Sequence, residues 1–123
     1  MSMEYENSSL KTVDWKNDKV IMIDQTKLPN ELIFVEYDNY LQVADAIRTL
    51  VVRGAPAIGV SGAFGLALAA VKSNALTRDE LISELERAKQ ILFETRPTAV
   101  NLAWGLEKIM NIAKEGANVD EKN

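Results

Sequence analysis

The stretch that decides the fold is VVRGAPAIGVSGAFGLALAAVK, Val51–Lys72. Arg53 stands before Gly54, Ala55 and Pro56, and no further charge appears until Lys72. The 18 uncharged residues from Gly54 to Val71 reach the lower edge of membrane-spanning length. The run is rich in Ala and Gly rather than Leu and Ile, so its drive to enter a bilayer is weak. The segments that flank it are amphipathic and need a partner for their apolar faces. The pattern therefore predicts the buried central helix of a soluble bundle, with no membrane partner. Gly59, Gly62 and Gly65 give that helix small-residue surfaces on which neighbours pack closely.

Upstream, Asp38 or Asn39 is a candidate N-cap for a helix whose apolar positions are Val43, Ile47, Leu50 and Val51. Gly54 is expected to end it, and Pro56 to open the next helix. Downstream, Thr77 and Glu80 have capping-box spacing. The helix after them places Leu81, Leu85, Ala88 and Leu92 on one face, and Pro97 stops it. A fourth helix is expected from about Thr98, with Leu102, Leu106, Ile109 and Ala113 inward and Gly116 at its end.

The first third of the chain has a different period. Leu10, Val13 and Trp15, then Val20, Ile21, Met22 and Ile23, form two strand-like runs around Asn17-Asp18, which is hairpin turn chemistry. Leu32 to Tyr37 is a third strand, rich in β-branched and aromatic residues. Asp24, beside Gln25 and Thr26, reads as turn chemistry. Trp15 and Trp104 read as core or interface anchors. The expected class is α+β: a small antiparallel three-stranded sheet followed by a bundle of about four helices. The expected divisions are a flexible start at 1–9, a β-subdomain at 10–37, a helical bundle at 38–116 and a polar tail at 117–123. No alternation of strands and helices points to a Rossmann-type sheet within these residues.

Composition narrows the chemistry. The chain has 123 residues, a formal net charge of −4, and neither cysteine nor histidine. Thiol nucleophiles, disulfides and thiolate metal clusters are excluded, and the commonest general base near neutral pH is missing. No metal site or cofactor is expected. The acidic balance argues against a general nucleic-acid binder. It leaves small anions open, because one arginine can hold one phosphate whatever the total charge. The polar, acidic N-terminus is not a signal peptide, and the absence of cysteine fits the cytoplasm.

Two corners stand out. At Arg53–Pro56, free N–H groups and the positive end of a helix meet a glycine, which permits close approach, and an arginine able to make a bidentate contact. TRPTAVNL, Thr95–Leu102, repeats the design with Arg96, Pro97 and a helix start. Each corner reads either as an anion site or as an ordinary capped junction between helices. Glu80, Glu84 and Glu86 show no pairing that argues acid–base work.

VDWKNDKVIMIDQTKLP, VADAIRTLVVRGAPAIGVSGAFGLALA and TRPTAVNLAWGL resemble the N-terminal region of the methylthioribose-1-phosphate isomerase family. Its superfamily includes the regulatory subunits of translation initiation factor 2B and ribose-1,5-bisphosphate isomerase. The resemblance runs from about Leu10 to about Ala113. It implies a C-terminal Rossmann-like domain, absent here, that carries the catalytic cysteine and aspartate and the homodimer contact. It implies an aldose–ketose isomerisation of a sugar phosphate in methionine salvage, without a required metal or cofactor. It implies substrate contacts at Arg53, Gly54, Ala55 and Arg96, and no catalytic residue in this chain. The chain is thus expected to be a truncated form, a fragment or one half of an assembled enzyme, inactive alone. The alternatives are an interaction module of the initiation-factor type or an isomerase acting on another pentose phosphate.

Overall fold

The fold comes from a computed structural model that describes residues 12–122, with side chains described from 12 to 116. The expected flexible start at 1–9, and Leu10, lie outside the described residues, as do the side chains of the expected polar tail. The element order is β1 (Val13–Lys16), β2 (Lys19–Ile23), a 3-10 turn (Gln25–Lys27), β3 (Phe34–Tyr37), α1 (Tyr40–Arg48), α2 (Ala55–Val71), α3 (Arg78–Thr95) and α4 (Val100–Lys122). This is the α+β arrangement expected, with an antiparallel sheet in the order β1-β2-β3.

Asn17 and Asp18 make the β1–β2 turn, with φ of 55° and 59°. Two consecutive left-handed residues form the tight turn whose twist suits a hairpin. The register pairs Val13 with Met22, Trp15 with Val20, Met22 with Val35 and Val20 with Tyr37. With a side-chain period of two, these six residues share one face, and all six belong to the core or pack against it. Asp14, Lys16, Lys19 and Glu36 take the other face, where Lys19 Nζ lies 3.6 Å from Glu36 Oε1. β3 begins two residues later than predicted. Leu32 and Ile33 precede it as exposed residues, and the Ile33 carbonyl accepts from the Asp24 N–H at 2.8 Å.

Asn39 caps α1 and Gln42 completes the capping box. Val43, Ala44, Ala46 and Ile47 are buried. The helix stops at Arg48, well before Gly54. The N–H groups of Val51 and Leu50 reach back to the carbonyls of Ala46 (3.0 Å) and Ile47 (3.4 Å). That is a Schellman end, with Leu50 at φ 68° in the place glycine usually takes. Leu50 and Val51 therefore lie outside the helix face predicted for them.

α2 is the central element, packed against α1, α3, α4, β1 and β2. Ile58, Gly59, Ser61, Gly62, Gly65, Leu66 and Leu68 are buried along it. Among the described residues no helix is long and apolar enough to cross a membrane. Thr77 caps α3 by accepting from the Glu80 N–H at 3.1 Å. Leu85, Ala88 and Leu92 are buried, with Leu81 packed beside them. On α4, Leu102, Leu106 and Met110 are buried, and Ile109 and Ala113 flank them. A 2.6 Å ion pair, Lys89 to Glu107, joins α3 to α4 and lowers the pKa of the Glu107 carboxyl. α4 starts at Val100 rather than Thr98, and it passes through Gly116 instead of ending there. A glycine inside a helix costs only about 1 kcal/mol, and no proline follows to enforce a stop.

Candidate functional site

The Arg53 corner is held from several sides. The Val51 N–H is tied to Ala46, and the Val51 carbonyl accepts from the Gln25 N–H at 2.8 Å. Val52 is buried. Arg53, Gly54, Ala55 and Pro56 then emerge on the surface. Gly54 occupies the N-cap position of α2 at φ 91°, and its carbonyl accepts from Ile58 at 2.9 Å. No side chain caps this end. The N–H groups of Ala55 and Ala57 precede the first intrahelical donor and have no acceptor within the helix, while Pro56 has no N–H to satisfy.

The Arg96 corner follows the end of α3. Arg96 is half-buried and takes the C-cap position, its N–H bonded to the Phe93 carbonyl at 3.3 Å. Its own carbonyl accepts from Ala99 at 2.9 Å, and Ala99 accepts from Ala103 at 3.2 Å, which launches α4. The amides of Val100, Asn101 and Leu102 thus precede that first intrahelical bond. Among the described residues, neither Arg53 nor Arg96 has a side-chain hydrogen bond or ion pair.

The two helix starts are neighbours. A Cβ on Gly59 would lie 2.9 Å from the Asn101 carbonyl oxygen, and one on Gly105 would lie 2.6 Å from the Gly59 carbonyl oxygen. Farther along, Gly62 faces Leu102 and Leu106. Both helices therefore run in the same sense from one end of the bundle, with Arg53 leading into one and Arg96 into the other. Next to the Arg96 corner, Val100 is 78% exposed and Trp104 is 66% exposed, with the Lys108 ammonium 4.8 Å from the Trp104 ring centroid. Trp104 is thus no part of this core, whereas Trp15 is half-buried and meets Phe64 edge-on at 5.8 Å.

A cleft of about 490 Å³ opens elsewhere, lined by Asn39, Tyr40, Leu68, Lys72, Ser73 and Arg87 among others. It lies at the far end of α2, roughly 25 Å along the helix from Arg53 at 1.5 Å per residue. None of the four residues singled out from sequence lines it. At the arginine corners, Arg53 is exposed and Arg96 half-buried, each beside a helix start whose first amides lack intrahelical acceptors. Among the described residues no group of three or more acidic side chains is placed to hold a metal ion.

Sequence reasoning missed the hydrogen bond that joins the DQTKLP turn to Val51, for which no local signal exists. It also missed the Gly59–Gly105 approach. A glycine in the middle of α4 was the available signal for that.

Residues 51–123 match the initiation factor 2 subunit family. The chain is 47% identical over 115 residues to methylthioribose-1-phosphate isomerase of Geobacter metallireducens, covering 92% of this chain and 33% of that protein. It is 46% identical over 113 residues to the protein of the same name in Trichodesmium erythraeum, covering 92% and 32%. A crystal structure of 5-methylthioribose 1-phosphate isomerase from Pyrococcus horikoshii superposes with a TM-score of 0.82 at 46% identity, over 87% of this chain and 30% of that one. The translation initiation factor eIF-2B delta subunit of A. fulgidus gives 0.79 at 47% identity, over 84% and 30%. The chain spans about a third of the length of these relatives. By this match across more than half of its residues, and by a fold shared with these proteins, the chain belongs to the initiation factor 2 subunit family.

Proposed function

We propose that this chain is the N-terminal, phosphate-facing part of an aldose–ketose isomerase that converts methylthioribose-1-phosphate to methylthioribulose-1-phosphate in methionine salvage, in the cytoplasm. The observation that carries the reading is the pair of neighbouring helix starts, each preceded by an arginine without a partner among the described residues. Arg53 and Arg96 neutralise the phosphate, and the N–H groups at Gly54 and Ala55 donate to its oxygens. Both helix dipoles favour the anion at this end.

The chain's contribution is binding and orientation, which can lower a barrier substantially when the reacting groups come from elsewhere. Isomerisation also needs a proton moved between adjacent sugar carbons. No side chain at these corners is suited to that as an acid–base pair, so the catalytic groups belong to a C-terminal domain that completes the enzyme and its homo-oligomer. The names of the relatives support the substrate, and their greater length supports a further domain.

The test is a titration of the 15N-labelled chain with methylthioribose-1-phosphate and with inorganic phosphate. Amide shifts at Gly54, Ala55 and Arg96, weakened in Arg53→Ala, are expected. Silence at millimolar ligand overturns the corners as an independent anion site. The pure chain should give no isomerase turnover.

The exposed Val100 and Trp104 favour a second reading, a protein-interaction module like the initiation-factor subunit among its structural neighbours. Shifts confined to the outer face of α4 on adding a protein partner, with Gly54 and Ala55 silent to sugar phosphate, would select it.

A further inference from the structure

We infer that Asp24 is a positioning residue for the Arg53–Gly54 loop, acting through the Thr26 turn and the Gln25–Val51 hydrogen bond. The inference rests on the phosphate-binding reading for what the loop meets, but the linkage itself is geometric.

Asp24 is only 9% exposed. A carboxylate so far removed from water requires hydrogen-bond donors. Its Oδ1 accepts from the Thr26 N–H at 2.9 Å and from the Thr26 hydroxyl at 2.5 Å. Its own N–H donates to Ile33 at 2.8 Å, and its carbonyl accepts from Lys27 at 3.2 Å. Asp24 therefore sets the angle at which the chain leaves β2 and the orientation of every peptide in the 3-10 turn.

The first peptide of that turn is the one that reaches out. The Gln25 N–H donates to Val51, whose N–H in turn is bonded to the end of α1. Val51 is thus gripped on both sides, Val52 is buried, and Arg53 follows at once. A turn that served only to reverse the chain would work as well with an exposed cap. Here the cap is buried where the sheet meets the loop, and it aims a donor at the residue two places before Arg53. Such support fixes a binding loop before the ligand arrives, which lowers the ordering cost of binding.

The test compares wild type, Asp24→Asn, Asp24→Ala and Thr26→Ala in the full 123-residue chain, by amide hydrogen exchange and by inorganic phosphate titration. Asp24→Ala should lower protection at the Gln25 amide about fivefold relative to the core amides of α2, the effect of about one lost hydrogen bond. It should weaken the phosphate response at Gly54 and Ala55 by a similar factor. Asp24→Asn keeps the Oδ1 acceptor and should stay within about twofold of wild type on both readouts. Unchanged Gln25 protection in a folded Asp24→Ala chain overturns the inference, as does an Asn variant no better than Ala. Should Asp24→Ala fail to fold, Thr26→Ala at its exposed position decides: selective loss at Gln25 supports the inference and no loss overturns it. If wild type itself ignores phosphate, the binding reading fails, and the exchange data alone decide whether Asp24 holds the loop.

Discussion

Gly59 and Gly105 meet backbone to backbone: a methyl group on Gly105 would sit 2.6 Å from the Gly59 carbonyl oxygen. A backbone oxygen inside a packed helix pair cannot swing aside. Gly105→Ala should therefore force α2 and α4 apart and cost about 1–3 kcal/mol, the usual range for overpacking. Gly116→Ala is the control. Nothing lies within 4 Å of its added Cβ, so it should gain roughly 0.5–1 kcal/mol from helix propensity. Urea denaturation of the two variants reads both signs.

Left-handed backbone makes a second pair of opposite predictions. Gly54 has φ of 91° in open space, so Gly54→Ala is penalised by conformation rather than by crowding, by about 1–2 kcal/mol. Asp18 has φ of 59° in an exposed hairpin turn, and Asp18→Gly should stabilise by about 0.5–1 kcal/mol. Thermal denaturation checks both, and Gly54→Ala should also weaken phosphate binding.

Ser61 is fully buried in α2 and its hydroxyl has no hydrogen-bond partner among the described residues. An unpaired buried hydroxyl is a desolvation cost without return. Ser61→Ala should raise stability by about 1 kcal/mol, with a contribution from the better helix former. A loss of stability would show that the hydroxyl has a partner after all.

Tyr37 holds its phenolic proton more tightly than a free tyrosine. Burial raises its pKa first, and the Asp24 and Asp45 carboxylates add to the effect. The fold thus favours the protonated phenol. The resulting stability is intact below the ordinary tyrosine pKa of about 10 and declines as pH rises through the higher folded value. Absorbance titration near 295 nm should show one tyrosine ionising late, and Tyr37→Phe should remove both that step and its share of the alkaline loss.

Most of the fold was legible because its signals are local. Asn17-Asp18 announced the hairpin, Thr77 was a visible cap, Asp38-Asn39 located the other to within one residue, and the chargeless run after Arg53 marked the central helix. The end of α1 was misread because Leu50 supplies the left-handed residue that a sequence rule assigns to glycine. The rule then moved the stop forward to Gly54, which caps the next helix instead. The stop expected at Gly116 failed for a related reason, since glycine ends a helix only when the backbone turns left-handed there. At the site, the Arg–Pro–helix pattern could be read twice from the chain. What brings the two helix starts together is the Gly59–Gly105 contact, a pairing between distant segments that no local pattern encodes.

The unequal settings of the two tryptophans give the molecule an internal optical gauge. Trp15 is lodged against Phe64 at the sheet, while Trp104 stands in solvent beside Lys108. In Trp15→Phe, the remaining indole emission reports only on the outer face of α4. A shift to the blue on adding a second domain or a protein partner would register coverage of that face, independently of any effect on the arginine corners.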